Sequence, residues 1–257
     1  MPAPLPTAPA WAQTGEVEPL LDRSRALALF RSAGLAVDSA DVVYLRLKPG
    51  ESAMVGFLFG GRDEQGCPFV LPGYVRTFAD GRAGAVVRKW ERKRVHPTAL
   101  GDGVRALPGG RSVLCLFPND GRLGALPQVA PMGKLKRILR ALPGITGDGA
   151  RILARESRVQ TVRYKPERRW IAAGDLRLRP EAGRRRRRRV FLRLFPDGRG
   201  QRIERVVGSL RAAGLGGRVP RPLGCAAGGR LQVEEAVAGE ELLGPIYAGR
   251  APAEQVA

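Results

Sequence analysis

A repeat at a fixed offset is the feature that most constrains the fold of this 257-residue chain. LRLKPG at 45–50 is matched by VRYKPE at 162–167, and YVRTFADGR at 74–82 by FLRLFPDGR at 191–199, each 117 residues later. Comparing 45–82 with 162–199 without gaps gives eleven identities in 38 positions. GGRSVLCLF at 109–117 then resembles GGRLQVEEA at 228–236, shifted by two further residues. Self-similarity at one offset indicates two copies of one structural unit.

The repeat divides the chain into four segments. These are a disordered tail rich in Pro and Ala (1–22), a first module (23–127), a helical connector (128–155) and a second module (156–257). In each module we expect a hairpin that turns at Lys-Pro, a third strand that alternates around an arginine, a helix and two final strands. This order predicts an α+β fold, in which each module is an antiparallel sheet with one packed helix.

Two helices are predicted most clearly. In QRIERVVGSLRAAGL (201–215), the apolar residues recur near a 3.6 period: Ile203, Val206, Val207, Leu210 and Leu215. In the connector, MGKLKRILRAL (132–142) has one apolar face and is otherwise basic. The apolar residues of that face are Leu135, Ile138, Leu139 and Leu142. We interpret it as a docked helix with a solvated basic face; basic amphipathic helices also bind membranes or nucleic acid.

The charge of the chain favours a second class of function. Its 44 Lys and Arg against 24 Asp and Glu give a formal charge of +20, and clustered basic residues neutralise nucleic-acid phosphates. However, only six of the 44 are Lys, and the abundance of Arg, Ala, Gly and Pro is typical of a GC-rich coding sequence. Six consecutive arginines, Arg184–Arg189, form a self-repelling segment that we interpret as a solvated loop. A basic nucleic-acid-binding or scaffold protein that uses this loop remains the alternative hypothesis.

Several other classes are excluded. No apolar run approaches the roughly 18–20 residues of a membrane-spanning helix, and the first residues lack the basic and apolar regions of a secretion signal. We therefore expect a cytoplasmic protein without membrane partners. Cys67, Cys115 and Cys225 are far apart, and His96 is the single histidine, so neither a disulfide framework nor a zinc cluster is predicted.

The second module resembles a known family. VQTVRYKPERRWIAAGDL, VFLRLFPDGRG and VPRPLGCAAGGRLQVEEAVAGEEL, within about 156–243, look like the amino-terminal lobe of the aminoglycoside phosphotransferase family, which has a protein-kinase-like fold. The first module, with LKPGES and LCLFPND, is similar to a diverged copy of this lobe or to the amino-terminal extension of some large members. The resemblance implies two tandem kinase-small-lobe-like modules that bind a nucleotide, ATP.

The resemblance also implies residue roles. Family members place a basic residue of the third strand on the ATP phosphates, orient it with a Glu of the next helix, and contact adenine with the linker after the fifth strand. Here Arg193 replaces the usual Lys; its planar guanidinium would change the phosphate geometry. Glu204 is the helix partner. The remaining candidates are Glu234, Glu235 and Val237 in the linker and Lys165, with Arg168 and Arg169, at a turn that lacks a Gly-rich loop.

The residues of phosphoryl transfer are missing from this sequence. Kinase-like enzymes carry a catalytic Asp, an Asn and a magnesium-binding Asp on a large C-terminal lobe. No Asp follows Asp197, and no Asn follows Asn119, which with Asp120 we interpret as a hydrogen-bonding turn. We therefore expect the catalytic large lobe to be absent. The resemblance therefore implies the N-terminal ATP-binding portion of a small-molecule kinase, not catalytic alone, with magnesium supplied by a C-terminal kinase lobe in cis or in trans.

Overall fold

The structure, a computed structural model, describes residues 17–91, 95–147, 149–217 and 219–237. These residues form a mixed α+β fold with two antiparallel sheets. The strands of the first sheet are β1 (Ser39–Lys48), β2 (Ser52–Arg62), β3 (Pro68–Phe78), β4 (Val104–Ala106) and β5 (Ser112–Leu116). The strands of the second sheet are β6 (Arg151–Ile152), β7 (Arg158–Lys165), β8 (Arg169–Arg179), β9 (Arg186–Leu194), β10 (Pro222–Ala226) and β11 (Leu231–Glu235).

Short helices precede, link and follow the strands. They are α1 (Glu18–Leu21), α2 (Arg23–Ser32), α3 (Ala83–Glu91), α4 (Leu126–Val129), α5 (Met132–Arg140), α6 (Pro143–Thr146) and α7 (Arg199–Ala212). A 3-10 turn at Leu215–Gly217 follows α7. Helix α3 connects β3 to β4 in the first sheet, and α7 connects β9 to β10 in the second.

The two sheets have corresponding strand orders. The first runs β1-β2-β3-β5-β4, and five strands of the second run β7-β8-β9-β11-β10. Strands β2 and β8 begin and end 117 residues apart, the offset of the sequence repeat, and β5 and β11 begin and end 119 residues apart. The second sheet differs by one strand, because β6 pairs with the end of β8 that β7 leaves uncovered, where Arg151 faces Arg179.

The first sheet buries one face against the amino-terminal helices. The ring of Phe30 on α2 meets Phe57 and Phe59 of β2 edge-on, with ring centroids 5.0 and 4.9 Å apart. Leu20 on α1 is also buried, so ordered structure begins before residue 23, where the predicted tail ends. Asp22 caps α2 by accepting a hydrogen bond from the Arg25 amide. Residues 1–16 of the predicted tail lie outside the described residues.

The connector packs on the second sheet. Leu135 and Leu139 of α5 are fully buried, as the amphipathic pattern predicts, and share a core with Trp170 and Leu192 of the sheet. Helices α4 and α6 contribute Leu126 and Ile145 to the same core. The connector is thus part of the apolar layer that covers one face of the second sheet, leaving the opposite face open.

Helix α7 lies near the opposite face and is packed closely only at its start. Gly200 approaches the turn between β10 and β11 so closely that a Cβ atom would lie 2.5 Å from the Gly229 carbonyl oxygen. Further along the helix, Val206 and Leu210 are 53% and 36% exposed, although the apolar periodicity predicted burial. The second half of α7 therefore carries apolar side chains in solvent.

Candidate functional site

Arg193, the predicted phosphate contact, lies on the open face of the second sheet. Its Nη2 is 2.6 Å from Oε1 of Glu234, on the neighbouring strand β11. The Arg193 side chain is 38% exposed, whereas that of Glu234 is 4% exposed. Burial raises the pKa of the Glu234 carboxyl, and the positive charge of Arg193 opposes this shift. A half-exposed arginine is thus held by a buried carboxylate of its own sheet.

Glu204, the predicted partner of Arg193, has a different neighbour. Its carboxyl interacts with the Cys225 thiol of β10, and this contact adds to burial in raising the pKa of the thiol to about 12. Among the described residues Arg193 forms its ion pair with Glu234, so the expected strand–helix ion pair is not seen. Glu234, on the adjacent strand β11, is thus the ion-pair partner of Arg193 in place of the helix residue Glu204.

The predicted linker begins later than the sequence indicated. Glu234 and Glu235 both belong to β11, and Glu235 pairs with Arg188 at 3.4 Å. Ala236 still donates its amide hydrogen to the Arg189 carbonyl, 3.1 Å away. The linker is therefore reduced, among the described residues, to the segment from Ala236 to Val237, whose side chain is 64% exposed.

A cavity of about 510 Å³, here called the linker cavity, lies where this segment meets the sheet. Gln160 of β7, Ala173 of β8 and Phe191 of β9 line it with Val237. The three strand residues and Glu234 form one row of paired residues across the sheet. Because side chains two residues apart on a strand share a face, Arg193 lies in the next row on the same face, about 7 Å along β9.

Lys165 lies away from the linker cavity, at the tip of the β7–β8 hairpin (residues 165–168, here the hairpin tip). This tip contacts the first sheet. Glu167 is 5% exposed and accepts hydrogen bonds from Arg76 of β3 at 2.9 Å and from Arg46 of β1 at 3.1 Å. The cationic neighbours Arg163, Arg169 and Arg168, together with burial, lower the pKa of Lys165, the effect of Arg163 being the largest.

Asp120 anchors the hairpin tip. Its Oδ2 accepts hydrogen bonds from the Tyr164 hydroxyl at 2.7 Å and the Glu167 amide at 2.8 Å. Its Oδ1 accepts the amides of Arg122 and Leu123 at 2.8 and 2.7 Å, which confirms the predicted hydrogen-bonding turn. The contact between the sheets was not predicted. The sequence indicated only that the Asp120 carboxylate accepts hydrogen bonds within its own turn, and no neighbouring residue indicated that its second oxygen binds the hairpin tip.

Comparison of the chain with family models, curated proteins and solved structures gives no match.

The arginine segment is more structured than expected. Arg186–Arg189 belong to strand β9 instead of a loop. Arg185 pairs with Glu156 at 3.1 Å, and the Nε of Arg187 donates to Asp175 at 2.7 Å. With the pair between Arg188 and Glu235, acidic side chains of the same chain already neutralise part of this charge. That reduces the charge left for a nucleic acid.

Within residues 17–91, 95–147, 149–217 and 219–237, no group of three or more His, Cys, Asp or Glu side chains is arranged to hold a metal ion. None of the helices described is both long and apolar enough to span a membrane. Cys67, Cys115 and Cys225 are all free thiols.

Proposed function

We propose that this chain is the ATP-binding amino-terminal portion of a small-molecule kinase that resembles the aminoglycoside phosphotransferase family. The observation that carries the proposal is the linker cavity. The segment that the resemblance assigns to adenine lines a cavity of about 510 Å³, and the arginine assigned to the phosphates lies one row away on the same face. The proposal includes two tandem small-lobe-like modules, the first being the diverged copy.

The linker cavity offers a purine base both apolar and hydrogen-bonding surface, and Arg158, Asp175 and Arg189 also line it. Ala173 and Phe191 give it an apolar floor, and the Gln160 side chain offers both a hydrogen-bond donor and an acceptor. Its volume is within the roughly 300–1,000 Å³ range of small-molecule pockets. The exposed Val237 side chain would cover the base from the linker side.

Phosphates would lie toward the hairpin tip. Arg193 carries five N–H donors, so it can keep its bond to Glu234 and still donate to a phosphate oxygen. The tip beyond it bears Lys165 and Arg168, Arg169 follows at the start of β8, and the repulsion among cations that lowers the Lys165 pKa favours an anion there. Magnesium ligands and the catalytic Asp are assigned to a C-terminal lobe, in cis or in trans.

Calorimetric titration with Mg-ATP tests the proposal. We expect saturable binding that Arg193→Ala weakens about tenfold, because one charge-assisted phosphate contact of about 1.4 kcal/mol is lost. Arg202→Ala, which removes an exposed arginine of α7, is the charge-matched control and should bind like the wild type. Ala173→Phe should fill the cavity and abolish binding of both ATP and adenosine.

Two results would refute this function. One is the absence of Mg-ATP binding at millimolar concentration, in this chain and with a C-terminal kinase lobe supplied. The other is equal weakening of ATP binding by Arg193→Ala and Arg202→Ala with no effect of Ala173→Phe, which would indicate nonspecific attraction of a polyanion to a basic protein.

A further inference from the structure

A second cavity lies on the first sheet, and its lining shares no residue with that of the linker cavity. It has a volume of about 320 Å³ and is enclosed by β3, β5, α3, the hairpin tip and the turn after Asp120; here it is called the tip cavity. Four basic side chains line it together with the carboxylate of Glu167. The basic residues are Arg76, Arg82, Lys89 and Arg122.

The single carboxylate is already engaged. Glu167 is shared between Arg76 and Arg46, which lies just outside the lining, so this cluster retains one positive charge. Among the described residues, the buried Nε of Arg76 has no hydrogen-bond partner. An N–H group that is removed from water without an acceptor costs free energy, so the hydrogen-bonding capacity of Arg76 is not fully used.

Within the part of the chain that the structure describes, two further cations are without ion pairs. Arg82 is 3.4 Å from Asp80, but neither Lys89 nor the Arg122 guanidinium forms an ion pair with any described residue. Arg122 influences Asp197 only through space. Lys89 and Arg122 approach the cavity from α3 and from the turn after Asp120, on two different elements. Unpaired charges of one sign around a low-dielectric cavity concentrate ions of the opposite sign.

The rest of the wall is apolar and uncharged. Phe78 forms part of it, with the Arg76 and Arg82 guanidinium groups 4.8 and 5.1 Å from the ring centroid. Val86 and Trp90 supply the accessible apolar surface, since Phe78 and Val113 are only 2% and 1% exposed. Burial raises the pKa of the Cys115 thiol to about 12, so this group stays neutral and adds no negative charge. The cavity therefore combines excess positive charge with a surface suited to a carbon skeleton or ring.

We propose that the tip cavity binds a small phosphorylated compound, with its phosphate between Arg76, Lys89 and Arg122 and its apolar part against Val86 and Trp90. This ligand site is separate from the proposed ATP site and does not depend on it. Because Arg76 also holds Glu167, the ligand phosphate and the hairpin tip share one guanidinium. Occupation of the cavity therefore alters the contact between the two sheets.

The experiment uses inorganic pyrophosphate as the probe, at constant ionic strength, with calorimetry and tryptophan fluorescence as readouts. Wild-type protein should bind it saturably and change the emission of Trp90. Lys89→Gln combined with Arg122→Gln should weaken binding at least about tenfold, since two charge-assisted contacts are lost. Both side chains are exposed, so the double variant should fold. Arg88→Gln combined with Arg202→Gln removes two exposed charges elsewhere and should bind like the wild type.

The ATP-site variants separate this proposal from the proposed function. Arg193→Ala should leave pyrophosphate binding at the tip cavity unchanged, and so should Ala173→Phe. Loss of pyrophosphate binding in Arg193→Ala, but not in the Lys89 and Arg122 double variant, would overturn the tip-cavity site. Equal weakening in the two double variants, or no saturable binding in the wild type, would also overturn it. Pyrophosphate binding with the expected pattern, in a protein that binds no ATP, would support the tip cavity alone.

Discussion

The two sheets place an arginine at the same position and give it different partners. Arg76 and Arg193 are 117 residues apart, and each lies on the strand that follows the first hairpin of its sheet, β3 and β9 respectively. Arg193 pairs with Glu234 of its own sheet; the position 119 residues before Glu234 is occupied by Cys115, which is neutral. Arg76 therefore takes its carboxylate from Glu167 of the other sheet.

This difference determines which face is open. Glu167 docks the hairpin tip on the first sheet and the Arg76 side chain is 23% exposed, whereas the Arg193 side chain on the open face is 38% exposed. The corresponding position of the first hairpin is Gly50, which has no carboxylate to offer. Glu167 adopts a φ of 57°, in the left-handed region that favours glycine, where Gly50 has 72°. Asp120 compensates for this conformation by accepting the Glu167 amide.

The largest expected effect comes from removing Asp120. Asp120→Ala leaves the Tyr164 hydroxyl and three amides without their acceptor, in a region where Asp120 itself is 2% exposed. We expect a loss of about 3–5 kcal/mol in the free energy of unfolding, measured by urea denaturation. The loss should be accompanied by faster amide exchange at the hairpin tip.

Asp38→Ala is the control for this measurement. Asp38 is exposed and, among the described residues, its carboxylate has no hydrogen-bond partner, so its removal should change the stability by less than about 0.5 kcal/mol. Equal stabilities of Asp120→Ala and Asp38→Ala would show that the hairpin tip does not dock on the first sheet in solution.

The parts of the fold predictable from sequence were those encoded locally. Lys-Pro marked both hairpin turns, alternation around Arg193 marked β9, and the Gly228-Gly229 pair marked the turn before β11, where both residues have positive φ. Each of these signals acts over a few residues, through side-chain alternation or backbone conformational preference.

The contacts between the sheets were not predictable in the same way. Glu167 and Arg46 are 121 residues apart, and no periodicity relates a charged turn residue to its partner at that distance. The pairing of Arg193 with Glu234 was missed because the family resemblance assigned Glu234 to the linker and Glu204 to Arg193, whereas Glu234 lies within β11 beside Arg193. Strand β6 was missed because two residues are too few to show a pattern.

An intermediate effect is expected when the carboxylate shared by the two sheets is neutralised. Glu167→Gln keeps the shape of the side chain but leaves Arg46 and Arg76, which are 17% and 23% exposed, facing a neutral amide. We expect a loss of about 2 kcal/mol in urea denaturation, since hydrogen bonds between charged groups are replaced by weaker ones.

Glu51→Gln provides the matched control at the tip of the first hairpin. Glu51 is 59% exposed and pairs with Lys48 at 3.1 Å, so the change should cost less than about 0.5 kcal/mol. If Glu51→Gln destabilised the protein as much as Glu167→Gln, the proposed difference between the two hairpins, in which only Glu167 joins the two sheets, would be wrong.

The smallest expected effect is a change in pH dependence on the open sheet. Burial raises the folded-state pKa of Glu234 above its ordinary value of 4.5, and Arg193 offsets part of that shift. Over the pH range just above 4.5, the folded protein therefore binds more protons at Glu234 than the unfolded chain does, and this contribution to stability falls as pH rises. Glu234→Gln lacks the titration, so wild-type stability should decline relative to the variant between pH 4.5 and neutrality. Arg193→Ala removes the offsetting charge and should steepen that decline. A rise in wild-type stability relative to Glu234→Gln over the same pH range would contradict this expectation. It would show that the ion pair with Arg193, and not burial, has the larger effect on the pKa of Glu234.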